Sequence, residues 1–214
     1  MTTILITGAN RGIGAAMVKA AQADGADVIR ATRPGHGGDV EFDVTRPDEI
    51  MPAIGRIDRP IDVLINNAGI IGPDRQATTD MDYAGMAQTF AVNVAGPLAV
   101  SNACLEHLRQ SNAPRILTIS SQMAWMGYAK SDRIAYRASK AAVNKVMQGL
   151  ATDLRPEGIT VALVDPGWVR TDMGGAEADL DPADVGAGIL TLADKLALGD
   201  SGKFFTWNGR EREF

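Results

Sequence analysis

The chain has 214 residues, 45% of them hydrophobic and 22% charged, and a formal net charge of −5. That length fits one α/β domain that buries roughly 70% of its unfolded surface and needs no covalent staples. The acidic balance argues against a nucleic-acid or anionic-membrane surface, both of which need clustered Lys and Arg; no run approaches the roughly 18 apolar residues of a membrane span.

Met1-Thr2-Thr3 leads straight into an apolar strand with no basic or cleavable segment before it, so the expected location is cytoplasmic. The lone cysteine, Cys104, falls in an amphipathic helical pattern and reads as a buried structural thiol.

Taken in chain order, short apolar runs alternate with helical patterns. A strand at Thr3–Thr7 precedes a helix from about Ile13 to Asp24, and strands follow at Asp27–Thr32 and Val40–Val44. Ile61–Ile65 predicts the next strand, followed by a long helix from about Asp82 to Gln110. A strand at Arg115–Ile119, a helix from about Ile134 to Arg155 and a strand at Thr160–Val164 continue the rhythm. Asp181 as N-cap with Pro182 behind it starts a helix ending near Leu198, and Gly202–Trp207 supplies a last strand. Loops are expected at Pro34–Gly38 and Gly72–Asp74. Strands that are apolar almost throughout belong to a parallel sheet covered on both faces. The expected architecture is therefore a doubly wound α/β domain over residues 1–214, with a mostly parallel sheet of about seven strands.

The first strand ends in Thr7-Gly8-Ala9-Asn10-Arg11-Gly12-Ile13-Gly14, where strand becomes helix. Gly8 would permit the sharp turn, Gly12 close approach of the backbone to a pyrophosphate, and Gly14 tight helix–strand packing. Helix N-terminal N–H groups then face the phosphates; an ordinary tight turn is the plainer alternative. The second strand ends Ala31-Thr32-Arg33 without the acidic residue that would hold an adenosine ribose. Arg11 and Arg33 could instead converge on a 2′-phosphate, which favours NADP(H) over NAD(H). Without that role Arg33 is a solvated loop residue.

Tyr136 and Lys140 stand four apart in a helical segment, so both project from one face. The spacing alone is common by chance. Reduction of a carbonyl needs a proton donor at its oxygen, and a tyrosine tuned by a nearby ammonium suits that task.

Five ordered motifs complete the picture: Gly8 to Gly14, Asn66-Asn67-Ala68-Gly69, Ser120-Ser121, Tyr136-Arg137-Ala138-Ser139-Lys140, and Pro166-Gly167, with Asn93 inside the long helix. Over nearly the whole chain this set resembles the short-chain dehydrogenase/reductase family. The Asn-Arg-Gly-Ile-Gly loop, the Tyr-Arg-x-Ser-Lys helix and the Gly-Lys-Phe-Phe ending (Gly202 to Phe205) resemble small members such as developmental signalling factors and fly carbonyl reductases.

The resemblance implies a Rossmann-type fold and hydride transfer between NADP(H) and a carbonyl or secondary alcohol. It implies that Tyr136 is the general acid/base, that Lys140 tunes it and holds the nicotinamide ribose, and that Ser121 binds the substrate oxygen. Asn93 would hold a water linking Lys140 to solvent; its plainer reading is an asparagine making a local backbone bond. Ser121 is preferred to Ser120 because the family uses the second serine, although the interval to Tyr136 is slightly long. At the nucleotide end the resemblance assigns Gly8, Asn10, Arg11, Gly12, Ile13 and Gly14 to the cofactor loop and Arg33 to the 2′-phosphate. Asp43 would bond the adenine amino group, or else cap its own loop, while Val44 lines the adenine pocket. Asn67, Ala68 and Gly69 would pass beside the ribose. Pro166 and Gly167 would shape the nicotinamide loop, with Val169 and Thr171 at the carboxamide.

Met123, Trp125, Trp168 and Met173 fit either a substrate pocket or the core. The short connection from Gly174 to Leu180 predicts an open site without a large lid. His36 and His107 stand far apart and no metal-ligand spacing is present, so no metal is expected. Two long helices resemble family dimerisation elements, which predicts a homodimer or homotetramer. The competing reading is a nucleotide-binding sensor or signalling protein without turnover.

Overall fold

β1 (Thr3–Thr7), β4 (Val63–Asn66) and β8 (Thr160–Asp165) are buried at every residue, which requires cover on both faces of the sheet. A computed structural model describes Met1–Phe214. Its other elements are α1 (Gly12–Ala23), β2 (Asp27–Thr32), β3 (Val40–Glu41), α2 (Pro47–Ile54), β5 (Gln76–Ala77), β6 (Asp80–Met81), α3 (Tyr83–Phe90), α4 (Gly96–Leu108), β7 (Arg115–Ile119), α5 (Ile134–Leu154), α6 (Pro182–Lys195), β9 (Phe204–Thr206) and β10 (Glu211–Arg212).

Eight strands pair in the order β10-β9-β8-β7-β4-β1-β2-β3, all parallel except β10, which runs antiparallel to β9. The chain builds outward from β1 through β2 and β3, then returns to add β4 on the other side. That reversal leaves a crevice beyond the C-terminal ends of β1 and β4, where an open α/β sheet holds its ligand.

Two apolar layers sandwich the sheet. On one face α2, α4 and α5 pack with Leu5, Leu64, Ile116 and Leu163; α5 contributes Val143, Met147, Leu150 and Leu154 at helical spacing. On the other, α1 and α6 cover Ile6, Ile65, Leu117 and Val164. Full burial of each such side chain stabilises by about 1.5–3 kcal/mol before conformational entropy is counted. Cys104 lies wholly within the first layer, where burial pushes its thiol up to about 12 and leaves it unreactive.

Five details differ from the sequence expectations, the first being α2, a helix not anticipated between the third and fourth strands. The helix expected over Asp82–Gln110 is three pieces, with a π-helical turn at Ala91–Ala95 between α3 and α4. Pro97 is the cause within reach: it lacks the N–H that an α-helix would aim at the Asn93 carbonyl, and Gly96 N–H bonds to the Ala91 carbonyl instead. The strand expected over Val40–Val44 stops at Glu41, because the Asp43 carboxylate accepts from Thr45 N and Thr45 Oγ1 (both 2.8 Å) and turns the chain toward α2. α6 ends at Lys195 rather than near Leu198. The small hairpin β5–β6 and the edge strand β10 are additions that two-residue pairings do not signal in a sequence.

Candidate active site

A cleft of about 450 Å³ opens at the C-terminal edge of the sheet, running from Arg33 at one end to Tyr136, Lys140 and Met173 at the other. Its floor is the glycine turn. Gly8 and Gly12 have positive φ (64° and 53°), and a Cβ on Gly14 would lie 2.2 Å from the Gly8 carbonyl oxygen. The turn therefore keeps its shape only with glycine at these places, and it brings the backbone of α1 close to whatever enters. Asn67 braces it from β4: Asn67 Nδ2 donates to the carbonyls of Thr7 (2.9 Å) and Gly8 (3.2 Å). In return the Thr7 hydroxyl accepts from Asn67 N and Ala68 N, both at 3.0 Å.

At the far end Arg11, Arg33 and Asp43 share the cleft wall, as expected, together with His36. The Pro34–Gly38 loop is wrapped around the Glu41 carboxylate, which accepts from Gly35 N, Gly37 N and Gly38 N; these bonds hold its pKa below the ordinary carboxylate value. This loop sets His36 within 3.4 Å of Asn10 Nδ2. Arg11 makes an exposed ion pair with Asp172 (2.9 Å) across the cleft mouth. Asp43 Oδ1 caps its own loop, and the residue lines the cleft.

At the near end Lys140 is buried, and its ammonium donates to the Ile119 carbonyl (2.7 Å) without a carboxylate beside it. Burial pulls its pKa down to about 8. The Tyr136 ring centroid is 5.7 Å from that Nζ. Burial pushes the phenol up to about 12; the Ser121 hydroxyl pulls it down, and the charge of Asp165 raises it again. Desolvation therefore outweighs the pull of Ser121 and Arg133 toward phenolate, and Tyr136 is held as a proton donor.

The two serines take different partners. Ser120 lines the cleft and donates to Asn144 Oδ1 (2.5 Å), whereas Ser121, which does not line it, accepts from Met123 N (3.1 Å) and lies within reach of the Tyr136 hydroxyl. Asn93 uses its side chain on protein: Nδ2 donates to the Ile70 carbonyl (2.9 Å) and to Ser139 Oγ (3.0 Å), and Oδ1 accepts from Ile70 N (2.9 Å). Pro97 removes the α-helical donor to the Asn93 backbone carbonyl. Of the residues expected at the cofactor, Gly14, Gly167 and Val169 stand behind the cleft wall rather than on it, while Pro166 and Thr171 line it. Val169 is part of the core under α1 and α6.

Three residues at the site were not singled out from the sequence for these roles. Thr7 carries the signal of a hydroxyl residue ending a strand just before a glycine turn, and His36 that of standing three residues beyond Arg33. Gln76 carries none: it lies on β5, far off in sequence, and its Oε1 accepts from Tyr136 N (3.1 Å) while Nε2 donates to the Ile71 and Pro73 carbonyls.

The cleft, the glycine turn and the Ser121–Tyr136–Lys140 cluster accompany a match of residues 2–180 to the family model for short chain dehydrogenases. The chain belongs to the short-chain dehydrogenase/reductase family. It is 47% identical over 154 residues to the C-signal of Myxococcus xanthus, covering 71% of this chain and 92% of that one. It is 31% identical over 211 residues to the 3-oxoacyl-acyl-carrier-protein reductase FabG of Escherichia coli strain K12, covering 91% of this chain and 83% of that one. Among solved structures it superposes on the NADPH-bound carbonyl reductase from chicken fatty liver with a TM-score of 0.91 at 27% identity, covering 100% of this chain and 99% of the other. It superposes equally, at TM-score 0.91 and 28% identity, on the carbonyl reductase Sniffer of D. melanogaster, with both chains fully covered.

Within this dehydrogenase the segment after β8 stays close to the body. Trp168 Nε1 donates to the Gly174 carbonyl (2.8 Å), Arg170 reaches the Ala178 and Asp179 carbonyls (3.1 Å each), and Val169 bridges to Leu180. No large cover forms over the cleft. Met173 lines it and Trp168 is exposed, so neither is core; Met123 and Trp125 are half-buried on the Ser121 side. No helix is long and apolar enough to cross a membrane.

Proposed function

We propose that residues 1–214 act as one NADP(H)-binding domain that interconverts a carbonyl and a secondary alcohol, with Tyr136 as general acid/base. The observation that carries this reading is the buried ammonium of Lys140, without an anionic partner, between the glycine-floored cleft and the protonated phenol of Tyr136. A buried cation costs several kcal/mol unless a ligand repays it, and ribose hydroxyls placed in this cleft would meet it.

The cradle fits a dinucleotide. Gly8, Asn10, Arg11, Gly12 and Ile13 would hold the pyrophosphate at the N-terminus of α1, with Gly14 keeping α1 close to β1. Arg11 and Arg33 would hold a 2′-phosphate, which supports NADP(H) over NAD(H). Asp43 and Val44 would line the adenine, and Asn67, Ala68 and Gly69 the ribose. Pro166 and Thr171 would flank the nicotinamide, with Gly167 and Val169 shaping that loop from behind. When bound, the nicotinamide supplies or accepts the hydride.

The chain's own residues handle the oxygen. Ser121 would donate to the carbonyl oxygen and stabilise its developing charge. Tyr136 would give that oxygen its proton in reduction and take it back in oxidation. Lys140 would restrain the negative charge left on the phenol, and Asn93, fixed by Ile70 and Ser139, would present its carbonyl to the water that returns protons from solvent. The open mouth beside Met173 and Trp168 suits a modest apolar carbonyl compound. The buried single cysteine suits a cytoplasmic setting, and the long helices α4 and α5 suit a homodimer or homotetramer.

A panel of aldehydes, ketones, quinones and secondary alcohols, followed by nicotinamide absorbance with each cofactor, tests the reading. NADPH-linked turnover lost in Tyr136→Phe is the expected result. The 47% identity to a protein named C-signal favours a second reading, a signalling protein that binds the nucleotide without turnover. Tight NADPH binding with no response to any compound would select it.

A further inference from the structure

Asp165 is the last residue of β8 and is buried, yet the mechanism above gives it no role. Its Oδ1 accepts from Gln122 N (2.9 Å) and from Gly167 N (3.0 Å). One carboxylate oxygen therefore ties together the turn that presents Ser121 and the turn that flanks the nicotinamide position. Its Oδ2 is ion-paired with Arg212 Nη1, from the edge strand β10. That guanidinium is three-quarters buried and stacked 5.2 Å from the Phe204 ring, which Phe214 stacks from behind. Arg212 Nε has no hydrogen-bond partner, so the side chain is placed for Asp165 and the ring rather than for a network of its own. The neighbouring Lys203 pairs instead with Asp200 (3.1 Å) and Glu211 (3.3 Å).

We propose that Arg212 is a positioning residue that clamps Asp165 and offsets part of its charge, so that a single carboxylate can fix both the turn that presents Ser121 and the turn that flanks the nicotinamide position. This rests on the reading of Tyr136 as acid/base. The charges facing the phenol are Asp165 from β8, Arg133 just before α5, Lys140 from α5 near the ring, and, through Asp165, Arg212 from β10. Removing Arg212 leaves Asp165 as an uncompensated buried anion beside the phenol, so proton loss from Tyr136 becomes harder. In alcohol oxidation, which needs the deprotonated phenol, the acid limb of the pH–rate profile then moves to higher pH.

The test compares Arg212→Met, Arg212→Lys, Asp165→Asn and the Arg212→Met/Asp165→Asn double variant, each carrying ring-fluorinated tyrosine. Fluorination makes the phenols more acidic, and the three tyrosines give few enough ¹⁹F signals to assign Tyr136 by its loss in Tyr136→Phe. Arg212→Met should raise the Tyr136 titration by about half a unit to one unit. Arg212→Lys should largely restore it, and the shift should vanish in the Asp165→Asn background. An unmoved Tyr136 signal in Arg212→Met, or an equal shift with Asp165 already replaced, overturns the proposal and leaves Arg212 as cover for Phe204. Should Arg212→Met fail to fold, Arg212→Lys against Asp165→Asn decides by the same titration. The ¹⁹F readout needs no turnover, so a coupled shift in a protein that reduces no carbonyl would sink the reductase reading alone.

Discussion

The two ends of the cleft are built on opposite principles. The nucleotide end is mainly backbone: a glycine turn, amide N–H groups at the start of α1, and a loop folded around Glu41, with its arginines exposed to solvent. The chemical end is side chains in a dry setting, where burial moves the phenol of Tyr136 up to about 12 and the ammonium of Lys140 down to about 8. Shape does the work at the first end and proton affinity at the second. Substitutions at the first should therefore change what binds, and substitutions at the second what happens after binding.

The sharpest check is Tyr136→Phe, expected to lower carbonyl reduction by at least about 10²-fold while leaving the NADPH dissociation constant nearly unchanged. Near-normal turnover would break the contrast outright. Gly14→Ala should destabilise the protein by about 1–3 kcal/mol or more in urea unfolding and weaken NADPH binding, because its Cβ meets the Gly8 carbonyl. Gly149→Ala, in α5 with nothing within 4 Å, should instead stabilise by about 0.5–1 kcal/mol.

Lys140→Met should abolish reduction yet make the ligand-free protein more stable at pH 7, by roughly 1–3 kcal/mol. The sign follows from the folded value of about 8 lying below the ordinary 10.5. The penalty for a charged buried lysine is full below pH 8 and fades as pH rises toward 10.5, so the variant's advantage should shrink over that window. Denaturation curves at pH 7 and pH 10 measure it; equal advantages at both would mean the ammonium carries no such penalty. Arg33→Ala is expected to weaken NADPH about tenfold with little change for NADH. Equal losses for both would take the 2′-phosphate away from this end.

Most of the alternation of strands and helices was legible because a two-face-covered parallel sheet forces uninterrupted apolar runs such as Thr160–Val164. The glycine turn and the Tyr136/Lys140 pair were legible because each needs particular residue types at a short, fixed spacing. What escaped depended on contacts between distant segments. Gln76 meets Tyr136 from 60 residues away, and Asp165 and Arg212 are 47 apart with nothing local to link them. The break in the long helix escaped for a different reason: Gly96-Pro97 is a visible flaw, but its outcome as a π turn rather than a kink depends on Asn93 finding Ile70.

That π turn has a consequence for how the polypeptide tolerates change. Five-residue closure accommodates one residue more than the regular ladder would between α3 and α4. α3 can thus face α5 while α4 faces α2, each on its own phase. Deleting one residue within Ala91–Ala95 would regularise the spiral and rotate everything before it by about 100°. The fold could absorb that at its surface, but the amide of Asn93 would swing off Ile70 and the strand-end loop it fastens would come loose.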